Sequence, residues 1–129
     1  MGQSKPINTR TILIVEDEAI IRFELADFFC DAGYVVFEAS DAGEAIAVLK
    51  RESSIRVVLT DIQLPGSMDG LRLAHYVRAR YPPTVLLITS GIGQIEAEAL
   101  PENSLFIAKP FDPPRILKQI DLITRSEAS

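Results

Sequence analysis

Five short apolar runs recur along the chain, at 11–15 (TILIV), 34–38 (YVVFE), 56–60 (RVVLT), 84–89 (TVLLIT) and 104–108 (SLFIA). Val, Ile and Leu dominate them, and three of the five hardly alternate with polar residues. That is how parallel strands read when both faces of the sheet are covered. The run at 34–38 is more mixed and suits the edge of a sheet.

The segments between the runs carry a helical period. Residues 19–32 place Ile21, Leu25, Phe28 and Ala32 on one stripe, and Gly33 follows as a stop. Cys30 falls within this segment and reads as a small core hydrophobe. Residues 41–51 open with an acid in the N-cap position and set Ala45, Val48 and Leu49 on one face. Residues 69–80 group Leu73, Tyr76 and Val77 and end before Pro82 and Pro83; His75, mid-helix in a polar stretch, reads as a surface residue. Residues 112–126 begin Asp112-Pro113 and show Ile116, Leu117, Ile120 and Ile123 at helical spacing. The segment 91–100 (GIGQIEAEAL) is the weakest helix of the set, two glycines preceding about two turns of good helix formers.

Strand alternating with helix implies an α/β domain, a parallel sheet with helices on both faces. Right-handed crossovers leave few topologies. In such sheets the ligand crevice lies beyond the carboxyl ends of the strands, at the point where the strand order switches. The residues that matter are therefore those that close each strand.

At those positions stand Glu16-Asp17-Glu18 after the first run, Asp61 after the third, Thr89-Ser90 at the end of the fourth and Lys109-Pro110 after the fifth. Adjacent strands would bring several carboxylates, a hydroxyl and an ammonium into one pocket. Clustered carboxylates are costly unless protonated or bound to a cation. Hard oxygen ligands without His or Cys favour Mg²⁺ or Ca²⁺ over zinc. A lone Lys beside them is a point-charge binder of phosphate, a Thr hydroxyl can donate to a phosphoryl oxygen, and an Asp carboxylate can accept a phosphoryl group. Together these parts describe a carboxylate that is phosphorylated beside a metal ion. Each residue alone has an ordinary explanation: a turn for Asp61, a strand end for Thr89, a solvated charge for Lys109. The placement of four such residues at the ends of four different strands is what carries the reading.

Composition narrows the class. A chain of 129 residues with 47% hydrophobic and 24% charged residues fits one globular domain and not a disordered segment. A net charge of −5 with no basic stripe argues against a nucleic-acid partner. No apolar run approaches the roughly 20 residues a membrane helix needs. The polar start MGQSKPINTR lacks the apolar core of a secretory signal, and Pro6 breaks a myristoylation motif. One cysteine excludes an internal disulfide. A cytoplasmic location without membrane attachment is the expectation.

The stretches LIVEDE, VVLTDIQLPGSMDGLRLA, LLITSG and FIAKPF, in that order, resemble the receiver domain of two-component response regulators across nearly the whole chain. The resemblance implies a flavodoxin-like, doubly wound five-stranded parallel sheet in the order 2-1-3-4-5, with five helices. It implies that Asp61 is the phospho-acceptor, that Asp17 ligates Mg²⁺ directly with Glu16 as its partner through water, and that the Gln63 carbonyl completes the protein ligands. Other divalent ions such as Mn²⁺ or Ca²⁺ would substitute in vitro. Thr89 matches the switch hydroxyl, Phe106 the aromatic rotamer switch and Lys109 the conserved-type lysine, with a cis Lys109–Pro110 peptide. Glu18 opens the first helix, where the dipole favours an acid. Gln63 and Gly91 would flank the phosphoryl entrance and set its hydrolysis.

On this reading the domain spans 11–126, between a polar extension at 1–10 and a tail at 127–129, and stands alone without an output domain. It is a signalling phospho-acceptor that catalyses only its own phosphorylation and dephosphorylation. Its expected partners are a sensor histidine kinase or histidine phosphotransfer protein and a downstream protein target. The switched face comprises 91–100, the fifth strand and the last helix, and a phosphorylation-dependent dimer is a further expectation. The sequence also departs from the family pattern. Gly66-Ser67 adds one residue before Met68-Asp69-Gly70, the 91–104 segment is short and glycine-rich, and Phe106 lacks a hydroxyl. Three rivals compete. A dehalogenase-like phosphohydrolase would need Asp-x-Asp after its first strand, and a flavin binder would need a hydroxyl-rich first loop in place of Glu16-Asp17-Glu18. The third is a receiver-shaped interaction module that is never phosphorylated, which the intact set of acids, Thr and Lys disfavours.

Overall fold

The computed structural model of the chain describes residues 10–91 and 96–128. Strands β1 (Thr11–Val15), β2 (Val35–Ala39), β3 (Val57–Asp61), β4 (Val85–Ser90) and β5 (Ser104–Ala108) form one parallel sheet in the order β2-β1-β3-β4-β5. Between them run the helices α1 (Ala19–Asp31), α2 (Ala42–Arg51) and α3 (Gly70–Arg80), and α4 (Pro113–Ala128) follows β5.

The lack of alternation in the central runs has a direct cause. Successive side chains of a strand point to opposite faces, and here both faces are covered. Leu13, Val15, Val58, Leu86 and Ile88 pack under α2 and α3, while Ile12, Ile14, Val57, Leu59 and Leu87 pack under α1 and α4. Each such side chain contributes roughly 1.5–3 kcal/mol on burial, so the inner strands tolerate no polar position until their ends. The edges differ. Val35 on β2 is 46% exposed, and Ser104 to Ile107 of β5 are only half-buried.

Helix starts follow local chemistry. Asp41 accepts from the Glu44 amide and Asp69 from the Arg72 amide, each satisfying an orphan donor of the first turn. Glu18 is the N-cap of α1 without a side-chain cap bond. The Asp112 carbonyl accepts from two amides as α4 begins, those of Arg115 and Ile116.

Two expectations are corrected. The 21/25/28/32 stripe does face the core, with Leu25 buried and Ile21, Phe28 and Ala32 packed against the cluster, and Ala26 and Phe29 join that face; Cys30, expected inside, is exposed. Phe29 is fully buried and stands edge-to-face with both Tyr34 and Phe28 at 5.2 Å, which leaves Cys30, the next residue, on the exposed side. The second correction concerns the helix count. Among the described residues there are four α-helices and a single 3-10 turn at Ala97–Ala99, not five helices. Residues 92–95 of the 91–100 segment lie outside the described residues.

Candidate functional site

Strand register brings the polar ends together. Asp61 is the last residue of β3 and pairs with Thr89 on β4, which in turn pairs with Ile107 on β5. The ladder continues past the strands: the Ile62 amide donates to the Thr89 carbonyl at 2.9 Å and the Lys109 amide to the Ser90 carbonyl at 2.9 Å. On the other side the Glu16 amide donates to the Ala39 carbonyl at 3.0 Å, fixing where the acid run leaves β1. These bonds make the meeting point a property of the sheet and not of loose loops.

The side chains converge accordingly. Lys109 Nζ lies 2.9 Å from Asp61 Oδ2 and 3.0 Å from Glu16 Oε1. Asp61 Oδ1 accepts from the Gln63 amide at 3.2 Å, and Glu16 Oε2 from the Glu18 amide at 3.1 Å. Glu16, Asp61 and Thr89 are buried, whereas Asp17 and Gln63 are exposed at the mouth. Carboxylate oxygens of Glu16, Asp17 and Asp61 all lie within 4.8 Å of one another. The Lys109–Pro110 peptide is cis. Phe106 is half-buried against the cluster under α2 and α3, and His75 is exposed with Nε2 2.8 Å from the Ala99 carbonyl oxygen.

The Lys109 ammonium lies between the Glu16 and Asp61 carboxylates, and the protonation of Glu16 and Lys109 reflects it. Burial raises the Glu16 carboxyl above its ordinary range; the Glu18 amide and Lys109 pull the other way, and the Asp61 charge pushes it further up. For Lys109 burial favours the neutral amine, but the hydrogen bonds to Asp61 and Glu16 outweigh it and raise the ammonium overall. The donor set is all hard oxygen, with no His or Cys in the cluster, and suits a small divalent cation such as Mg²⁺.

Two residues at the site carry little signal in the local sequence pattern. Gly70, the first residue of α3, donates its amide to the Ile62 carbonyl at 2.8 Å, and a Cβ there would lie 1.7 Å from the Asp61 carbonyl oxygen. Only a glycine lets the helix start touch the end of β3. The hint in the sequence is a poor helix former directly after the N-cap Asp69. Arg22, on the first turn of α1, reaches back to the Glu16 carbonyl with Nη1 at 2.7 Å.

A doubly wound parallel sheet whose strand ends gather three acids, a threonine and a lysine defines a phospho-acceptor signalling domain of the two-component class. The chain belongs to the response regulator receiver domain family, whose sequence model matches residues 12–121. It is 31% identical to the chemotaxis protein CheY of Thermotoga maritima over 120 residues, covering 90% of this chain and 98% of that protein. It is 34% identical over 123 residues to the aerobic respiration control protein ArcA of Escherichia coli K12, covering 93% of this chain. The chain spans 51% of the length of that relative. Among solved structures, a response regulator receiver protein from Sinorhizobium medicae WSM419 superposes with a TM-score of 0.83 at 29% identity, over 91% of this chain and 95% of that one. Among the described residues no helix is long and apolar enough to cross a membrane.

Proposed function

We propose that Asp61 accepts a phosphoryl group from the phosphohistidine of a sensor histidine kinase or a histidine phosphotransfer protein, or from a small phosphodonor, in a Mg²⁺-dependent reaction. The observation that carries the reading is the position of the Asp61 carboxylate. It is buried at the end of β3, one oxygen on the Lys109 ammonium and the other on the Gln63 amide.

An Asp61 oxygen forms the new O–P bond as the N–P bond of the donor breaks, and the electron pair leaves with the imidazole. Transfer of this kind depends on positioning and on offsetting charge. Glu16, Asp17, Asp61 and the Gln63 carbonyl would hold Mg²⁺, which supplies positive charge next to the transferring group when bound. Lys109, tethered to Glu16 and Asp61, is placed to follow the phosphoryl oxygens as a point charge. Thr89, beside Asp61 in register, would donate its hydroxyl to the product.

The phosphoryl adds roughly 1.5–2 negative charges and new acceptor oxygens. Drawing Thr89 toward it would open space for the Phe106 ring and change the face formed by β5, α4 and the segment before β5. A shift from mostly off to mostly on takes about 5.5 kcal/mol of differential stabilisation. A charge-assisted hydrogen bond at about 1.5–3 kcal/mol supplies part of that. A downstream protein, or a second phosphorylated copy, would read the altered face in the cytoplasm. The chain would turn over no substrate beyond its own phosphoryl group.

The test is intact-mass measurement after incubation with acetyl phosphate. Mg²⁺-dependent gain of one phosphoryl group is expected, absent in Asp61→Asn; full labelling of that variant would remove Asp61 from the role.

A further inference from the structure

The acidic run Glu16-Asp17-Glu18 is held from both ends by one residue outside the pocket. Its last carbonyl, Glu18, accepts from the Arg22 amide at 3.0 Å, closing the first turn of α1. Its first carbonyl, Glu16, accepts from Arg22 Nη1 at 2.7 Å. The same guanidinium is anchored on its far side, with Nε 3.2 Å from Glu38 Oε1 on β2. The Arg22 side chain is 15% exposed, so it is wedged between β1, α1 and β2 and does not wave in solvent.

We infer that Arg22 is the positioning residue for the cation-binding acids: by pinning the Glu16 carbonyl it fixes the backbone direction that presents Asp17 to the ion. The inference rests on the phospho-acceptor reading and adds a residue to it. The geometry makes the claim specific. Asp17 is exposed, and among the described contacts no hydrogen bond holds its carboxylate, so its approach to Glu16 and Asp61 depends on the main chain on either side. That main chain is fixed before Asp17 by the Ala39 carbonyl and Arg22 Nη1, and after it by the Glu16 carboxylate and the Arg22 amide.

Arg22 acts here through shape. A planar guanidinium can serve a carbonyl and a carboxylate at once in a fixed fork, which a compact ammonium cannot do. An ordinary surface ion pair would add little to the fold and nothing to the metal. Outer-shell partners that orient ligands are worth about 10–100-fold in metal affinity.

The test is a titration of the folded protein with Mg²⁺, following both the rate of acetyl phosphate labelling and binding of Mn²⁺ by electron paramagnetic resonance without any phosphodonor. In Arg22→Gln the half-saturating cation concentration should rise about tenfold in both assays, while the labelling rate at saturating cation stays within about twofold of wild type, the expectation for a residue outside the reacting atoms. Arg22→Lys, which keeps one donor and the charge but cannot fork, should fall between the two. Glu38→Gln, which frees the far side of the guanidinium, should shift the titration in the same direction. Unchanged half-saturation in Arg22→Gln, or a fall in the saturated rate with no change in affinity, would overturn the role of Arg22 while leaving Asp61 as the acceptor. A wild-type protein with no saturable cation dependence would overturn the underlying reading instead.

Discussion

A Cβ built on Gly70 lies 1.7 Å from the carbonyl oxygen of Asp61. The first turn of α3 therefore rests directly on the strand end that presents the acceptor, and nothing flexible can move aside, since the nearest atoms are backbone. Gly70→Ala should destabilise the protein by about 3 kcal/mol or more, the upper end of the cost of overpacking. Urea unfolding measures it, and a midpoint equal to wild type would contradict the contact.

Glu16 gives a prediction in pH. Its carboxyl is raised by burial in the folded state above the value of 4.5 it has when exposed. The folded chain then binds the extra proton, so this group costs stability as pH rises through 4.5 and beyond its folded value. Glu16→Gln mimics the protonated form. Without divalent cation it should melt higher than wild type at pH 7, and the gain should vanish as the pH falls below 4.5. Mg²⁺ should stabilise wild type and not the variant. Melting curves across that range decide the sign, and a variant less stable at neutral pH would refute it.

Among the described residues Lys109 is the ammonium that lies between two buried carboxylates, with its own side chain 17% exposed. Removing one partner of a buried pair costs about 3–5 kcal/mol, and the partial exposure puts Lys109→Ala at about 3 kcal/mol without metal. Its ammonium is raised in the fold, so the contribution is fully present below pH 10.5 and is lost only as the pH climbs past the folded value. Alkaline denaturation should show wild type converging on Lys109→Ala above that range. A constant difference between them at every pH would rule out an ionic contribution.

Arg78 on α3 donates to the carbonyls of Glu102, Thr84 and Asn103 at 2.8, 3.0 and 3.1 Å, and to that of Pro82. One side chain thereby ties the approach to β4 to the approach to β5. Arg78→Ala should cost about 2 kcal/mol through lost charge-assisted bonds and raise hydrogen exchange in β5 ahead of β1 and β3. Uniform exchange across the sheet would contradict a local tie.

The sequence made the sheet and the pocket legible because the signal for both is local. A strand buried on two faces must be a continuous apolar run, and its polar end residue stands out, as Asp61 does after VVLT and Glu16 after ILIV. What escaped was set by distance. The helical period put Ile21, Leu25, Phe28 and Ala32 on the core face but did not show Phe29 meeting Tyr34, a contact no periodicity encodes, nor Cys30 on the outside. Gly70 and Arg22 matter through backbone atoms of other elements, Asp61 and Glu16, so their residue types alone do not announce them. The segment 91–100 gave the weakest helical signal of the set, and of it the described residues show a 3-10 turn at Ala97–Ala99.

The claim beneath all of this is that one carboxylate, gathered with Glu16, Asp17 and Lys109 at the strand ends, carries the phosphoryl group. Borohydride reduction of the acetyl-phosphate-labelled protein, followed by peptide sequencing, reports which side chain held it. The predicted result is homoserine at position 61 alone, formed only when Mg²⁺ was present during labelling. Reduction at Asp17 or Glu16, or at no carboxylate at all, would contradict the account.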